Sequence, residues 1–153
     1  MINLQNNFDQ YALKGFHGQL NKSFPSWIAS RHAEGGSLGF GVVVVAGTKD
    51  DQCVLPPTDP SASYVLGVTE RTQAVENDAA GKSAYRESTP VSIVQKGVMY
   101  VAVADGCTQG GKVYFKKDTG EIVSTSTDNF ELVGAKFTTT VSAGEVAQLE
   151  LSL

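Results

Sequence analysis

The sequence predicts an all-β fold, a small β-barrel or β-sandwich body over residues 41–153 preceded by an extended N-terminal arm over residues 1–40. Three observations carry this reading. From Gly41 onward the chain is a succession of short β-branched and apolar runs separated by Gly, Pro and Asp, the spacing of a small all-β domain. Each strong apolar pattern in that stretch has the period of a strand rather than of a helix. The first forty residues follow neither period, although they hold six of the thirteen aromatic residues.

In the arm, Phe8, Phe16 and Phe24 stand eight apart, and Gly15, Gly18, Pro25, Gly35 and Gly36 interrupt any regular element. An extended chain with isolated anchors is expected, with Gly35–Gly41 as a flexible hinge to the body. The body opens with Val42–Ala46, a continuous apolar strand. Tyr64, Leu66 and Val68 then alternate with smaller residues up to Glu70, as in a strand with one buried face. Val91, Ile93 and Val94 form the next strand. After Gly97, Val98–Ala104 is apolar on both faces and is expected to be central, covered on both sides. Lys112–Lys116 points Val113 and Phe115 one way and Tyr114 the other. Asp118-Thr119-Gly120 closes a hairpin onto Glu121–Ser124, because glycine supplies the positive φ a short β-loop needs. Val133, Ala135, Phe137, Thr139 and Val141 are expected on one face. Ala147, Leu149, Leu151 and Leu153 alternate with Gln148, Glu150 and Ser152 in a final strand. The polar stretch 70–89 is a long loop or carries a single helical turn around Thr72–Asn77; loops of such length are commonly functional or mobile.

A hydrophobic share of 41% and a charged share of 18% suffice for one packed core. The net charge of −4 opposes attraction to a polyanionic backbone, so nucleic acid is not an expected partner. The charge is unevenly divided: Lys14, Lys22 and Arg31 against Asp9 and Glu34 leave the arm at +1 and the body at −5. The longest apolar run, Val42–Ala46, is far short of the roughly 20 residues that span a bilayer, so no membrane segment is expected. The opening MINLQNNFDQ has neither a basic start nor an apolar stretch, which points to synthesis in the cytosol. Cys53 and Cys107 have no CxxC spacing and no histidine pair nearby, and are expected as free structural thiols.

Candidate chemistry is sparse. His17 and His32 both lie in the arm, away from any fixed scaffold that could hold a general base in reach of its target, and are expected as solvated or interface histidines. Asp50-Asp51 lies between Gly47 and Val54 and reads as a turn. Gly35–Gly41 precedes a strand and lacks the lysine of a phosphate loop. Asn21-Lys22-Ser23 matches a glycosylation sequon, which means nothing without secretion. No catalytic residue, metal site or cofactor is therefore expected. The arm is instead expected to supply interface anchors, Phe8, Tyr11, Phe16, Phe24 and Trp27, because buried aromatics are common energetic anchors. An extended chain also spans up to about 3.3–3.6 Å per residue, so the arm can reach a neighbour.

In the order of its features the chain resembles the small decoration, or cement, proteins of tailed-phage capsids. The stretches that carry the resemblance are GFGVVVVAG (39–47), CVLP (53–56), YVLGVT (64–69) and PVSIVQKGVMYVAV (90–103) leading into GGKVYF (110–115). The resemblance implies a compact β-barrel-like or sandwich body that binds the outer face of an assembled icosahedral shell. There it would bridge neighbouring major capsid protein subunits against internal DNA pressure, often as a trimer or dimer. The location implied is the outer capsid surface of the virion, after synthesis in the host cytoplasm. The alternative is a small β-barrel ligand- or carbohydrate-binding accessory protein, with Trp27 as a stacking platform.

Overall fold

A computed structural model of the chain describes residues 15–73, 75, 77 and 80–153. Its strands are β1 (Trp27–Ala33), β2 (Val43–Ala46), β3 (Gln52–Val54), β4 (Val65–Thr69), β5 (Pro90–Ala102), β6 (Lys112–Lys116), β7 (Ile122–Val123), β8 (Asn129–Phe137) and β9 (Val146–Ser152), with no helix among the described residues. Hydrogen bonding runs in the order β1-β3-β2-β4-β5-β9-β8-β6-β7, and β1 also pairs with β5. Five strands thus close on themselves as a barrel, β1-β3-β2-β4-β5, and four more extend from β5. The extension bends back: Val43 N–H donates to Gly120 O at 2.8 Å and Val42 bridges Glu121, which ties the β6–β7 hairpin to the start of β2.

This path creates two hydrophobic cores with a shared wall. Because successive side chains of a strand point to opposite faces, β2 sends Val43 into one core and Val44 into the other. β5 divides Val94 from Ile93 in the same way. On β4, Leu66 and Val68, expected on one buried face, enter different cores because the register against β2 shifts at Gly67, and Tyr64, expected on that face, is 65% exposed. The barrel core adds Leu38, Phe40, Cys53, Tyr85 and Val91; the larger core adds Phe115, Leu132, Phe137, Leu149 and Leu151. A wall buried on both faces must be apolar on both faces, which is why Val42–Ala46 is an unbroken apolar run.

The Val91–Val94 and Val98–Ala104 patterns, expected as two strands, belong to the single strand β5. At its start it lies between β1 and β4, and from Lys96 onward it pairs with β9. Gly97, at φ +140°, sits at the exchange of partners, in a conformation that side chains with a Cβ rarely adopt. The β6–β7 hairpin forms as its turn residues direct, with Asp118 and Gly120 both at positive φ. β9 buries Ala147, Leu149 and Leu151 in alternation, while Leu153 stays exposed.

Three expectations change. Residues 27–33 of the stretch read as an arm form β1, paired antiparallel with β5 and parallel with β3, and Leu20, Ala33, Leu38 and Phe40 are buried. β1 escapes a periodicity argument because only Ala33 of its seven side chains is buried; backbone pairing holds it. Residues 1–14 of the arm lie outside the described residues. Gly35–Gly41 is not a free hinge either. The Thr69 hydroxyl, buried under the segment, donates to Gly39 O at 2.7 Å and accepts from Val42 N–H at 3.1 Å, while Leu38 bridges Tyr85. Finally, Val133 is 75% exposed although Ala135, Phe137 and Val141 pack on the larger core. β8 shifts register against β6 between Glu131 and Lys136, and such a bulge turns the intervening side chains off the face that simple alternation assigns them.

The stretch 70–89 has no helical turn among its described residues. Its second half docks on the barrel: Tyr85 meets Phe40 edge-to-face at 5.5 Å and donates its hydroxyl to Glu70 O at 2.6 Å.

Candidate interface surface

Large apolar side chains left in water mark contact surfaces when they gather. Register brings several of them to one end of four adjacent strands. Trp27 of β1 lies opposite Lys96 of β5, and Lys96 lies opposite Ser152 of β9. Gly134 of β8 backs onto Ser152 so closely that a Cβ there would stand 2.4 Å from the Ser152 carbonyl oxygen. Trp27 (68% exposed), Leu153 and Val133 are therefore exposed near one end of neighbouring strands, over three inter-strand spacings, roughly 14 Å, with Trp27 in the row of Lys96 and Ser152 and Leu153 in the next row, beside Gln95. Ile28 and Phe24 adjoin Trp27 and are also exposed. The polar groups nearby are mostly paired: Lys136 with Glu150 at 3.7 Å and, further along β8, Glu131 with Lys112 at 3.2 Å.

Of the five aromatics expected as anchors, Phe24 and Trp27 are among these exposed side chains. Phe8 and Tyr11 lie outside the described residues. Phe16 stands apart, at a groove of about 640 Å³ shared with Tyr100, Lys22 and Arg71. There the Arg71 guanidinium lies 5.5 Å from the Phe16 ring and 5.8 Å from that of Phe40, so Phe16 is linked by cation–π contact to the barrel core. Leu153, Val133 and Ile28 were not among the expected anchors. Val133 could not be found from sequence because its exposure depends on the bulge, and Leu153, expected to alternate with the buried Leu149 and Leu151, is exposed just beyond the end of β9.

The remaining candidates dissolve into structure. His32 is exposed, 3.9 Å from Asp51, and Asp50-Asp51 forms the turn between β2 and β3. His17, expected as solvated or interfacial, is half-buried and accepts a hydrogen bond from Ala102 N–H at 2.9 Å. Cys53 and Cys107 are free and buried, and burial pushes the Cys53 thiol up to about 11, far from a reactive thiolate. Asn21 spends its side chain on Tyr100 Oη and on Ser23 N–H. Among the described residues no three His, Cys, Asp or Glu side chains cluster to hold a metal, and no buried side-chain polar atom lacks a partner.

The sequence profile of the family described as structural cement protein (E217 gp24/Pam3 gp6) matches residues 4–152. The chain belongs to this family of phage structural cement proteins. No curated protein matches it by sequence. In fold, this cement protein is similar to a chain from the capsid of Myoviridae phage XM1, at a TM-score of 0.70 and 15% identity over 98% of each chain. A weaker likeness, at a TM-score of 0.43 and 8% identity, is to the head fiber gp8.5 N base of bacteriophage phi29, covering 84% of this chain and 95% of that one. Family membership makes the protein a structural component of a phage virion.

Proposed function

We propose that this protein binds the outer face of an assembled phage capsid and cements neighbouring major capsid protein subunits, acting as a trimer or dimer. The observation that carries the reading is the match to the structural cement family over residues 4–152. The exposed apolar side chains of Phe24, Trp27, Leu153 and Val133 support contact at that end of the strands, with Phe8, Tyr11 and Phe16 as further anchors from the N-terminal stretch. An apolar contact of this kind is expected to persist at ionic strengths that screen a purely electrostatic one.

The test is co-sedimentation of the purified protein with empty, expanded capsids of its phage, with analytical ultracentrifugation of the free protein. The expected result is saturable binding that persists in about 0.5 M salt, where the Debye length has shrunk to only a few ångströms. Trp27→Ser should weaken binding by about 30-fold, the effect of losing an anchor worth about 2 kcal/mol, while leaving thermal unfolding in place. Failure to bind shells, or binding to oligosaccharides alone, would overturn the proposal in favour of the sugar-binding alternative.

A further inference from the structure

The segment Gly15–Asn21 is held on β5 mainly by its backbone. Leu20 is its one buried large apolar side chain, whereas Phe16 is 67% exposed. Gly18 N–H donates to Tyr100 O at 2.7 Å, Tyr100 N–H to Gln19 O at 2.9 Å, and Asn21 N–H to Val98 O at 2.8 Å, so the segment runs along β5 as an added strand would. At the next step of this ladder a side chain replaces the backbone acceptor: Ala102 N–H donates to His17 Nδ1 at 2.9 Å. The imidazole fits because residue 41 is glycine. A Cβ on Gly41 would stand 2.5 Å from His17 Cε1.

The proton state of that ring is set by the bond. A nitrogen that accepts must carry its lone pair, and imidazolium has N–H on both nitrogens. Protonation of Nδ1 would place two donors face to face in a half-buried site. We infer that His17 is an acid-released latch: its neutral ring pins residues 15–21 to β5, and its protonation frees them. The charged groups around it are Arg71 and Glu121, the latter paired with Lys116 at 3.0 Å. The other walls, Val42, Ala102, Ala104, Ile122 and Gly144, carry no titratable side chain.

The electrostatic balance agrees with the geometry. Burial pushes the imidazole below its ordinary value of 6.5; a backbone hydrogen bond with Phe40 opposes this, Arg71 adds to it and Glu121 subtracts. With the folded value below the unfolded one, the latch is fully present above pH 6.5. It weakens as the pH falls from there through the folded value. Because residues 1–14 join the body through this segment, the latch governs how firmly their point of departure is fixed. The inference is independent of what the protein binds.

Amide hydrogen exchange of the full chain between pH 8 and pH 5, corrected for intrinsic rates, tests it. Protection at Gly18, Tyr100 and Ala102 is expected to fall at least about tenfold relative to the core amide of Leu149, and the His17→Gln variant, whose amide cannot protonate, should lose this dependence. His32→Gln should keep it. A measurement on the unaltered chain stands beside the variants: the His17 Cε1 proton should titrate below 6.5, in step with the Ala102 amide. Constant relative protection across the range, the same dependence in His17→Gln, or titration of His17 above 6.5 would each overturn the latch.

Discussion

β1 and β2 belong to the same closed barrel, yet they are held by opposite means. β2 (VVVA) has its three valines buried, with cores on both sides. β1 (WIASRHA) exposes Trp27, Ile28, Ser30 and His32 and buries only Ala33, so its place depends on backbone pairing with β5 and β3. Burial and pairing are separable sources of order. The strand that spends its side chains on the cores is fixed, while the strand that pairs by backbone keeps its side chains available for another molecule. If the protein works by contact, as proposed above, the exposed strand is the one that can carry it.

The largest expected effect lies in the shared wall. Leu66, 1% exposed on β4, projects into the barrel core beside Ile93 and Phe40. Leu66→Ala removes buried methyl groups from a wall that cannot collapse toward one core without opening the other, and should cost about 2–5 kcal/mol in urea unfolding. A loss under about 1 kcal/mol would mean that the two cores do not constrain each other.

A smaller effect sharpens the contrast itself. Native-state hydrogen exchange should release the β1 amides at least about tenfold faster than those of β2, because a segment with few buried apolar contacts opens at a lower free energy than the wall. Equal protection in the two strands would show that pairing alone secures β1 as well as burial secures β2, and would remove the distinction drawn here.

The same contrast decides what could be read from the sequence. β2, β6 and β9 and the hairpin at Asp118–Gly120 were legible because burial writes itself into composition, alternation for one covered face and an unbroken run for two, whereas β4 was legible as a strand but not in its facing, since it is buried on both faces across a register shift. β1 left no such mark, since its hydrogen bonds are made by groups every residue carries. Leu38 and Phe40 were obscured by the glycines around them, which looked like slack; of these, Gly41 serves close approach, to the His17 ring. Of the exposed apolar side chains, Phe24 and Trp27 stood out in the sequence as aromatics outside any period. Val133 was not, because a bulge in β8 decides its direction, and a bulge is a property of two strands together.

The smallest expected effect concerns the turn that follows β5. Asp105 accepts hydrogen bonds from Ser124 N–H at 3.0 Å, Thr125 N–H at 3.0 Å and the Thr125 hydroxyl at 2.6 Å, tying the end of β5 to the chain beyond β7. Partial burial works against its charge, but the bonds from Thr125 and Ser124 outweigh it and hold the carboxyl below its ordinary 3.8. With the folded value depressed, the carboxylate's contribution is fully present above the unfolded pKa and is lost as the pH falls from there through the folded one. Hydrogen bonds to a charged group are worth about 1.5–3 kcal/mol when shielded, and the exposure of Asp105 reduces this to about 1 kcal/mol or less. Asp105→Asn should therefore lower stability slightly at pH 7 and flatten the acid limb of the stability curve by a similar amount, the two curves converging once the carboxyl is protonated in both states. Urea midpoints of both chains at pH 7, 4 and 2 measure it. If the parent and variant curves stay parallel into acid, the clamp acts through geometry alone, and β5 leaves the larger core without help from charge.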